Sequence, residues 1–331
     1  MLATHAFLDG GKMKKIFWST MQEKSEKEQL NKFAWVILAI VYLATVSSGI
    51  MMNKIGPSIP VLVDIFDINL SQAGLLMSVY ALTAVLLAIP AGIMLNRFGQ
   101  RKIAVAAFLS LIIGSGIGAI AQSFEIMLVS RMFEGIGTAL IVVLGPAMIS
   151  MWFPPKKSGL PVGIWSTATP IGGFIALTYI PGLIDSIGWR NVWWSAAAFS
   201  FLSLIFFVIF LKPVPGGIKP ISASEQIENL KKLFKNKGIW LACLIIMSFT
   251  FIIIPIVTYY PTFLSTVKGY DLGTAGFYVG VISLATLPFS PLAGWLSDKI
   301  GSRKKVVVIG FAILLPTFAL LFSVSGWVII L

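Results

Sequence analysis

Successive apolar runs of about 20 residues, nearly free of charge, constrain this chain more than any other feature of it. A helix needs roughly that many residues, at about 1.5 Å each, to cross the hydrocarbon of a bilayer with its backbone polar groups satisfied internally. The runs predict about nine membrane helices, at 33–63, 71–92, 103–121, 125–150, 159–184, 189–211, 239–264, 272–294 and 306–330. Ser71 stands where an N-cap would open the second. The first run is unbroken to Met52 and then enters a Pro-rich outer segment holding Pro57 and Pro60. Composition agrees: 57% of the 331 residues are hydrophobic and 11% are charged, against about a quarter charged in soluble domains. The sequence reads as all-α, a polytopic membrane helical bundle.

The longest linker, 212–238, is polar, basic and rich in Pro and Gly. It divides a six-helix bundle at 33–211 from three further helices at 239–331, and residues 1–32 form a polar, Lys-rich tail. That tail has no apolar core and does not read as a signal peptide. Met13 and Met21 within it offer alternative starts. With the N-terminus inside, the segments 1–32, 93–102, 151–158, 212–238 and 298–305 are cytoplasmic, and they hold 21 of the 25 Lys and Arg but only seven of the 13 acids. The net charge of +12 is thus an orientation signal. No aromatic–basic platform accompanies it, so no nucleic-acid partner is expected. The expected location is the plasma (inner) membrane, multi-pass, with the lipid bilayer as partner.

One cysteine, Cys243, and one histidine, His5, exclude a disulfide, a zinc site, a Ser-His-Asp triad and a Cys-His pair within the chain. No metal and no cofactor is expected. A membrane-embedded transferase would need clustered His, Asp or Glu at one membrane face; the sequence has none, so it does not read as an enzyme.

Two basic loops repeat each other. Gly92-Ile-Met-Leu-Asn96-Arg97-Phe-Gly99-Gln-Arg101-Lys102 aligns without a gap on Gly294-Trp-Leu-Ser-Asp298-Lys-Ile-Gly301-Ser-Arg303-Lys304, at an offset of 202 residues. Each links the second and third helices of its half, as in a parallel repeat about the membrane normal. These loops resemble the motif between helices 2 and 3 of the major facilitator superfamily, and the resemblance covers residues 33–330. It implies the family's fold with about nine of twelve helices present, and loops that lock the two halves on the cytoplasmic side. Asn96 departs from the family's Asp, whereas Asp298 keeps it. Each basic residue of these loops also reads as a plain topology anchor.

Further stretches fit. Arg131-Met-Phe-Glu134-Gly-Ile-Gly resembles the family's helix-4 motif, and Gly188-Trp189-Arg190 the turn that opens helix 6. In helix 5, Gly163, Pro170, Gly172 and Gly173 approach the antiporter motif, with Thr169 replacing its glycine. Small residues there also serve close helix packing alone. The Trp-rich helix 5–6 region and Asn53-Lys54 resemble the cyanate and nitroimidazole permease-like branch. Trp189, Trp193 and Trp194 read as an interfacial belt.

Ionisable groups at bilayer depth are costly and usually functional. Asp64, Asp67, Glu125, Asp185 and Asp271 sit at outer helix ends. Lys54 lies about 15 Å in from Asp64, and Arg131 and Glu134 about 9 and 14 Å in from Glu125, at 1.5 Å per residue. In the resembled family helices 1 and 4 line the central cavity, which implies one space for all three. Two cations and one acid point to an anionic substrate, with a bidentate Arg131, a point charge at Lys54 and Glu134 as carrier of a coupling proton. A self-satisfied Arg131–Glu134 pair at i, i+3 and a snorkelling Lys54 are the plainer readings. Asn53, and Tyr259 and Tyr260 beside Pro261 in helix 7, are further candidate contacts.

The resemblance implies a monomeric secondary transporter of a small solute working by alternating access, driven by a substrate or proton gradient. No Gly-x-x-x-x-Gly-Lys-Ser/Thr loop is present for ATP. Two alternatives stay open: a drug or metabolite–proton antiporter, and an inactive fragment or remnant, since a family member has about three more helices.

Overall fold

The computed structural model describes residues 32–154, 158–212, 223–270, 274, 277–278, 280–281, 284 and 286–321. All regular structure among them is helical. Five stretches are long and apolar enough to cross a membrane: Lys32–Phe66, Leu70–Ala119, Phe124–Trp152, Gly159–Ile187 and Trp189–Phe210. The chain is a multi-pass membrane protein.

Lys32–Phe66 is α1. Its regular helix is interrupted at Lys54, and the outer part Ile55–Phe66 carries Pro60. It closes on Asp67 in the left-handed region (φ 50°), whose N–H bonds Val63 O. Leu70–Ala119 has 50 residues and would span about 75 Å if straight. Gly99, at φ 79° and ψ 167°, folds it into two membrane helices, α2 (70–98) and α3 (100–119). Only a residue without Cβ adopts that backbone cheaply. The stretch expected as a loop, 93–102, is therefore helix on both sides of a one-residue corner. Its repeat does the same: Gly301 (φ 66°) separates α8 (Thr286–Ile300) from α9 (Arg303–Leu321).

The N-cap of α2 is Asn69, not Ser71. Asn69 Oδ1 accepts from Gln72 N, and Gln72 Oε1 accepts from Asn69 N, each at 2.9 Å. This reciprocal box satisfies two orphan donors, which a lone serine cannot. The remaining long helices are α4 (Phe124–Trp152), α5 (Gly159–Ile187, with a turn at Thr167), α6 (Trp189–Phe210) and α7 (Lys237–Thr266). The polar linker expected at 212–238 holds a helix of its own, Ala223–Lys235. Of the expected span 272–294, eight residues between 272 and 285 lie outside the described residues, as does all of 306–330 beyond residue 321.

Glycines let α1 to α6 pack backbone to backbone. A Cβ on Gly137 of α4 would stand 2.7 Å from Ala107 O of α3, and one on Gly49 of α1 would stand 2.8 Å from Thr169 O of α5. The buried apolar residues fall into two main clusters. One, around Val41, Phe108, Leu144 and Phe207, lies toward the basic loops. The other, around Ile55, Leu76, Met127 and Trp193, lies toward the opposite face. Lys54 stands in sequence between Met51 of the first and Ile55 of the second.

Candidate functional site

Three charged side chains sit at that division, all with 0% exposure: Lys54, Arg131 and Glu134. Glu134 joins the other two. Its Oε1 accepts from Lys54 Nζ at 2.6 Å and from Ser115 Oγ at 2.9 Å, and its Oε2 accepts from Arg131 Nη1. Lys54 Nζ also donates to Ser115 Oγ at 2.6 Å and stands 4.8 Å from the centroid of the Trp193 ring. The Arg131 guanidinium lies 4.3 Å from the Tyr80 ring centroid. It donates to two backbone carbonyls, Met51 O of α1 at 2.9 Å and Leu76 O of α2 at 3.2 Å. The cluster thus draws on α1, α2, α3, α4 and α6.

Helical spacing and small residues build it. Arg131 and Glu134 are neighbours on α4 because residues three apart share a helix face. Gly114 and Gly118 of α3 let α4 close over them: a Cβ on Gly114 would fall 2.8 Å from Glu134 Cγ, and one on Gly118 would overlap the Trp193 ring. Beneath the cluster, Tyr80 Oη shares a hydrogen bond with Thr138 Oγ1 at 2.7 Å and donates to Ser48 O at 3.2 Å.

Two cations share one carboxylate, so the cluster carries an excess positive charge inside the bundle. Such charges persist in low dielectric only where pairing and hydrogen bonds offset desolvation. Arg131 Nη2 and Trp193 Nε1 are buried without a hydrogen-bond partner among the described residues. Buried donors left open are rare and call for an explanation.

The depth arithmetic brought these three groups together, and they do meet. Their common space is enclosed by the six-helix bundle rather than open as a cavity, since Ser115 and Trp193 come from the helices behind α1 and α4. Lys54 does not snorkel. Trp189 and Trp193 are 6% and 0% exposed and belong to the core, whereas Trp194, half exposed, fits a belt. Packing against α3 and the outer end of α1 overrides the interfacial preference of the first two. Asn53 Nδ2 donates to Gly49 O at 2.9 Å, and its amide lies over Gly173. Gly172 meets α1 with its would-be Cβ 2.6 Å from Val46 O. Pro170 is half-buried on the same helix. Tyr260 is buried and stacks on Phe263 at 5.8 Å; the side chain of Tyr259 lies outside the described residues. Ser115, Tyr80 and Trp193 were not singled out as site residues, because contacts between distant helices have no signature in local spacing.

A second contact joins the halves on the side of the basic loops, where α5 crosses α8. A Cβ on Gly294 would fall 2.5 Å from Gly159 O, and one on Gly163 would fall 2.8 Å from Ser290 O. Asp298 places its carboxylate against Gly159, so that any side chain there would overlap it. A carboxylate at the start of a helix meets the positive end of the macrodipole. Ser166 Oγ and Ser290 Oγ share a hydrogen bond, and Ser290 Oγ donates to Gly163 O at 3.2 Å. Ser166 and Ser290 were also missed, having no charge to mark them. In the first loop Asn96, Arg97, Arg101 and Lys102 are exposed, and a Cβ on Gly92 or Gly99 would meet nothing within 4 Å. Gly301, Arg303 and Lys304 are likewise exposed.

The family model described as Major Facilitator Superfamily matches residues 41–331. "Uncharacterized transporter YybO" of Bacillus subtilis (strain 168) is 24% identical over 287 residues, covering 78% of this chain and 65% of the relative. "Probable sulfoacetate transporter SauU" of Cupriavidus necator is 23% identical over 292 residues, covering 83% of this chain and 67% of the relative. The crystal structure of a bacterial homolog of the human lysosomal transporter Spinster superposes with a TM-score of 0.62 at 21% identity, covering 81% of this chain and 63% of that one. The chain therefore spans about two thirds of the length of these proteins.

Proposed function

We propose, from the premise that this chain belongs to the Major Facilitator Superfamily, that the protein is a secondary transporter of a small anion working by alternating access. The single observation that carries the anion is the excess charge of the buried cluster, with Arg131 Nη2 left open. A second anionic group reaching the cluster would take that donor and balance the second cation. A bidentate guanidinium suits a carboxylate, sulfonate or nitrogen oxyanion. The printed name of the Cupriavidus relative, a probable sulfoacetate transporter, lies in this chemical range.

The cluster is also placed to respond to movement. Arg131 holds Met51 O, just before the break in α1 at Lys54, and Pro57 and Pro60 follow in the outer part. Pro60 removes one hydrogen bond from the helical ladder of this part. Glu134 is the only fully buried acid among the described residues. A proton on it would loosen both cations from it and favour the incoming anion, which couples the two in one direction. The α5–α8 contact forms the closed gate on the cytoplasmic side, and rocking of the halves about the cluster opens it. The positive-inside pattern supports an N-terminus in the cytoplasm and a place in the plasma membrane.

Thermal unfolding of the purified protein with sulfoacetate, acetate and the hydrophobic cation tetraphenylphosphonium tests the anion reading. Binding only to the native state raises the midpoint. We expect stabilisation by one of the anions, lost in Arg131→Lys, which keeps the charge and removes the fork. Stabilisation by tetraphenylphosphonium alone, or anion stabilisation unchanged in Arg131→Lys and Lys54→Gln, overturns it.

A further inference from the structure

The linker helix Ala223–Lys235 is two-faced. At about 100° per residue, positions 225, 228, 231, 232 and 235 fall on one side and positions 227, 230, 233 and 234 on the other. The first side reads Glu, Glu, Lys, Lys, Lys and the second Ile, Leu, Leu, Phe. Glu228 pairs with Lys232 at 2.8 Å, both well exposed. Lys231, Lys235 and Lys237, the first residue of α7, are exposed as well.

The junction with the membrane fixes where this helix lies. Asn236 alone separates it from α7, and Asn236 is hydrogen-bonded both ways: its N–H donates to Leu233 O at 3.0 Å, and its side chain accepts from Gly238 N at 2.9 Å. Trp240 Nε1 donates to Phe234 O at 2.8 Å, and the two rings lie 6.4 Å apart. Leu233 and Phe234, exposed by 48% and 57%, thus continue into exposed Trp240, Leu241 and Leu244 of α7. The apolar face and the lipid-crossing surface are one stripe, with Lys231 beside it and Lys235 further round the polar side.

We propose that Ala223–Lys235 lies on the bilayer surface and binds anionic lipid headgroups through Lys231, Lys235 and Lys237, with Leu233 and Phe234 inserted below them. The occupant follows from charge and continuity. An apolar face with lysines on the polar side suits an anionic bilayer surface. A partner protein covering this face would also have to cover the exposed Trp240, Leu241 and Leu244 at the start of α7, to which the helix end is tied. The lipid contact would hold the junction between the two halves at a fixed depth.

The test uses the full chain in which Cys243→Ser removes the native thiol and Phe234→Cys carries a nitroxide. It is reconstituted in vesicles of phosphatidylcholine alone, or with about a third phosphatidylglycerol, a lipid mix in which each lysine near the surface changes partitioning about fivefold. Collision with oxygen is expected to rise, and with a water-soluble nickel chelate to fall, when phosphatidylglycerol is present. High salt, or Lys231→Gln with Lys235→Gln, is expected to reverse the change. A label equally open to the nickel chelate in both vesicles overturns the proposal. A label shielded from both reagents in both vesicles also overturns it and assigns the face to protein instead.

Discussion

At the scale of single residues, the chemistry turns on Glu134, because its removal leaves two cations close together with no counter-charge in a site closed to water. Breaking a buried pair by deleting one partner costs about 3–5 kcal/mol, and Glu134→Gln is expected near the upper end. Chemical or thermal unfolding in detergent measures it. Lys54→Met added to Glu134→Gln should recover part of the loss, since it removes the second unbalanced charge; strict additivity of the two changes would sink the idea of one coupled cluster. Gly118→Ala makes a separate test. Its methyl would overlap the Trp193 ring, the face against which Lys54 lies. Overpacking of this kind costs about 1–3 kcal/mol, and Trp193 fluorescence should shift with it. What could be read from the sequence was depth: three charges counted from helix ends, on α1 and α4, at matching levels. What could not be read was enclosure. Ser115 on α3 and Trp193 on α6 face Lys54 only because glycines at 114 and 118 admit α4, and that is a property of packing, not of spacing.

At the scale of elements, the two repeated loops behave unequally although they share a sequence pattern. Both turn on a glycine at positive φ, Gly99 and Gly301, so the second glycine of the pattern is explained by backbone geometry. The first is explained by approach in the second loop alone: Gly294 touches Gly159 of α5, where no Cβ fits, whereas a Cβ on Gly92 would meet nothing within 4 Å. The helix-5 glycines, read against an antiporter motif, have similar work, Gly163 against α8 and Gly172 against α1. Local signals were misread where one side chain had two readings, as at Ser71 and Asn69. A crosslink probes the α5–α8 contact. With Cys243→Ser in place, Ser166→Cys and Ser290→Cys put two thiols where hydroxyls now share a hydrogen bond. Oxidation is expected to join them readily and to arrest transport in vesicles, with reduction restoring it. A crosslinked protein that still transports at the uncrosslinked rate would show that this contact is not a gate.

At the scale of the whole molecule, apolar runs carried most of the architecture among the described residues, because a bilayer permits few solutions for a backbone that must satisfy itself. The helix Ala223–Lys235 was the element missed, since a 13-residue amphipathic segment amid Pro and Gly carries no membrane-length signal. The orientation proposed from the placement of Lys and Arg can be tested directly. On a Cys243→Ser background, Arg101→Cys lies beside the Gly99 corner and Asp185→Cys near the end of α5, where Gly188 turns the chain into α6. Between these two sites the chain crosses the membrane three times, through α3, α4 and α5, so they must lie on opposite sides. A membrane-impermeant maleimide added to intact cells is expected to label Asp185→Cys and to spare Arg101→Cys, and permeabilising the cells should expose both. Labelling of both positions in intact cells would mean that the number of crossings between them is even, against the fold. Labelling of Arg101→Cys alone would keep the fold and reverse the orientation. The basic loops and the α5–α8 contact would then lie outside, and the gate would close the opposite entrance.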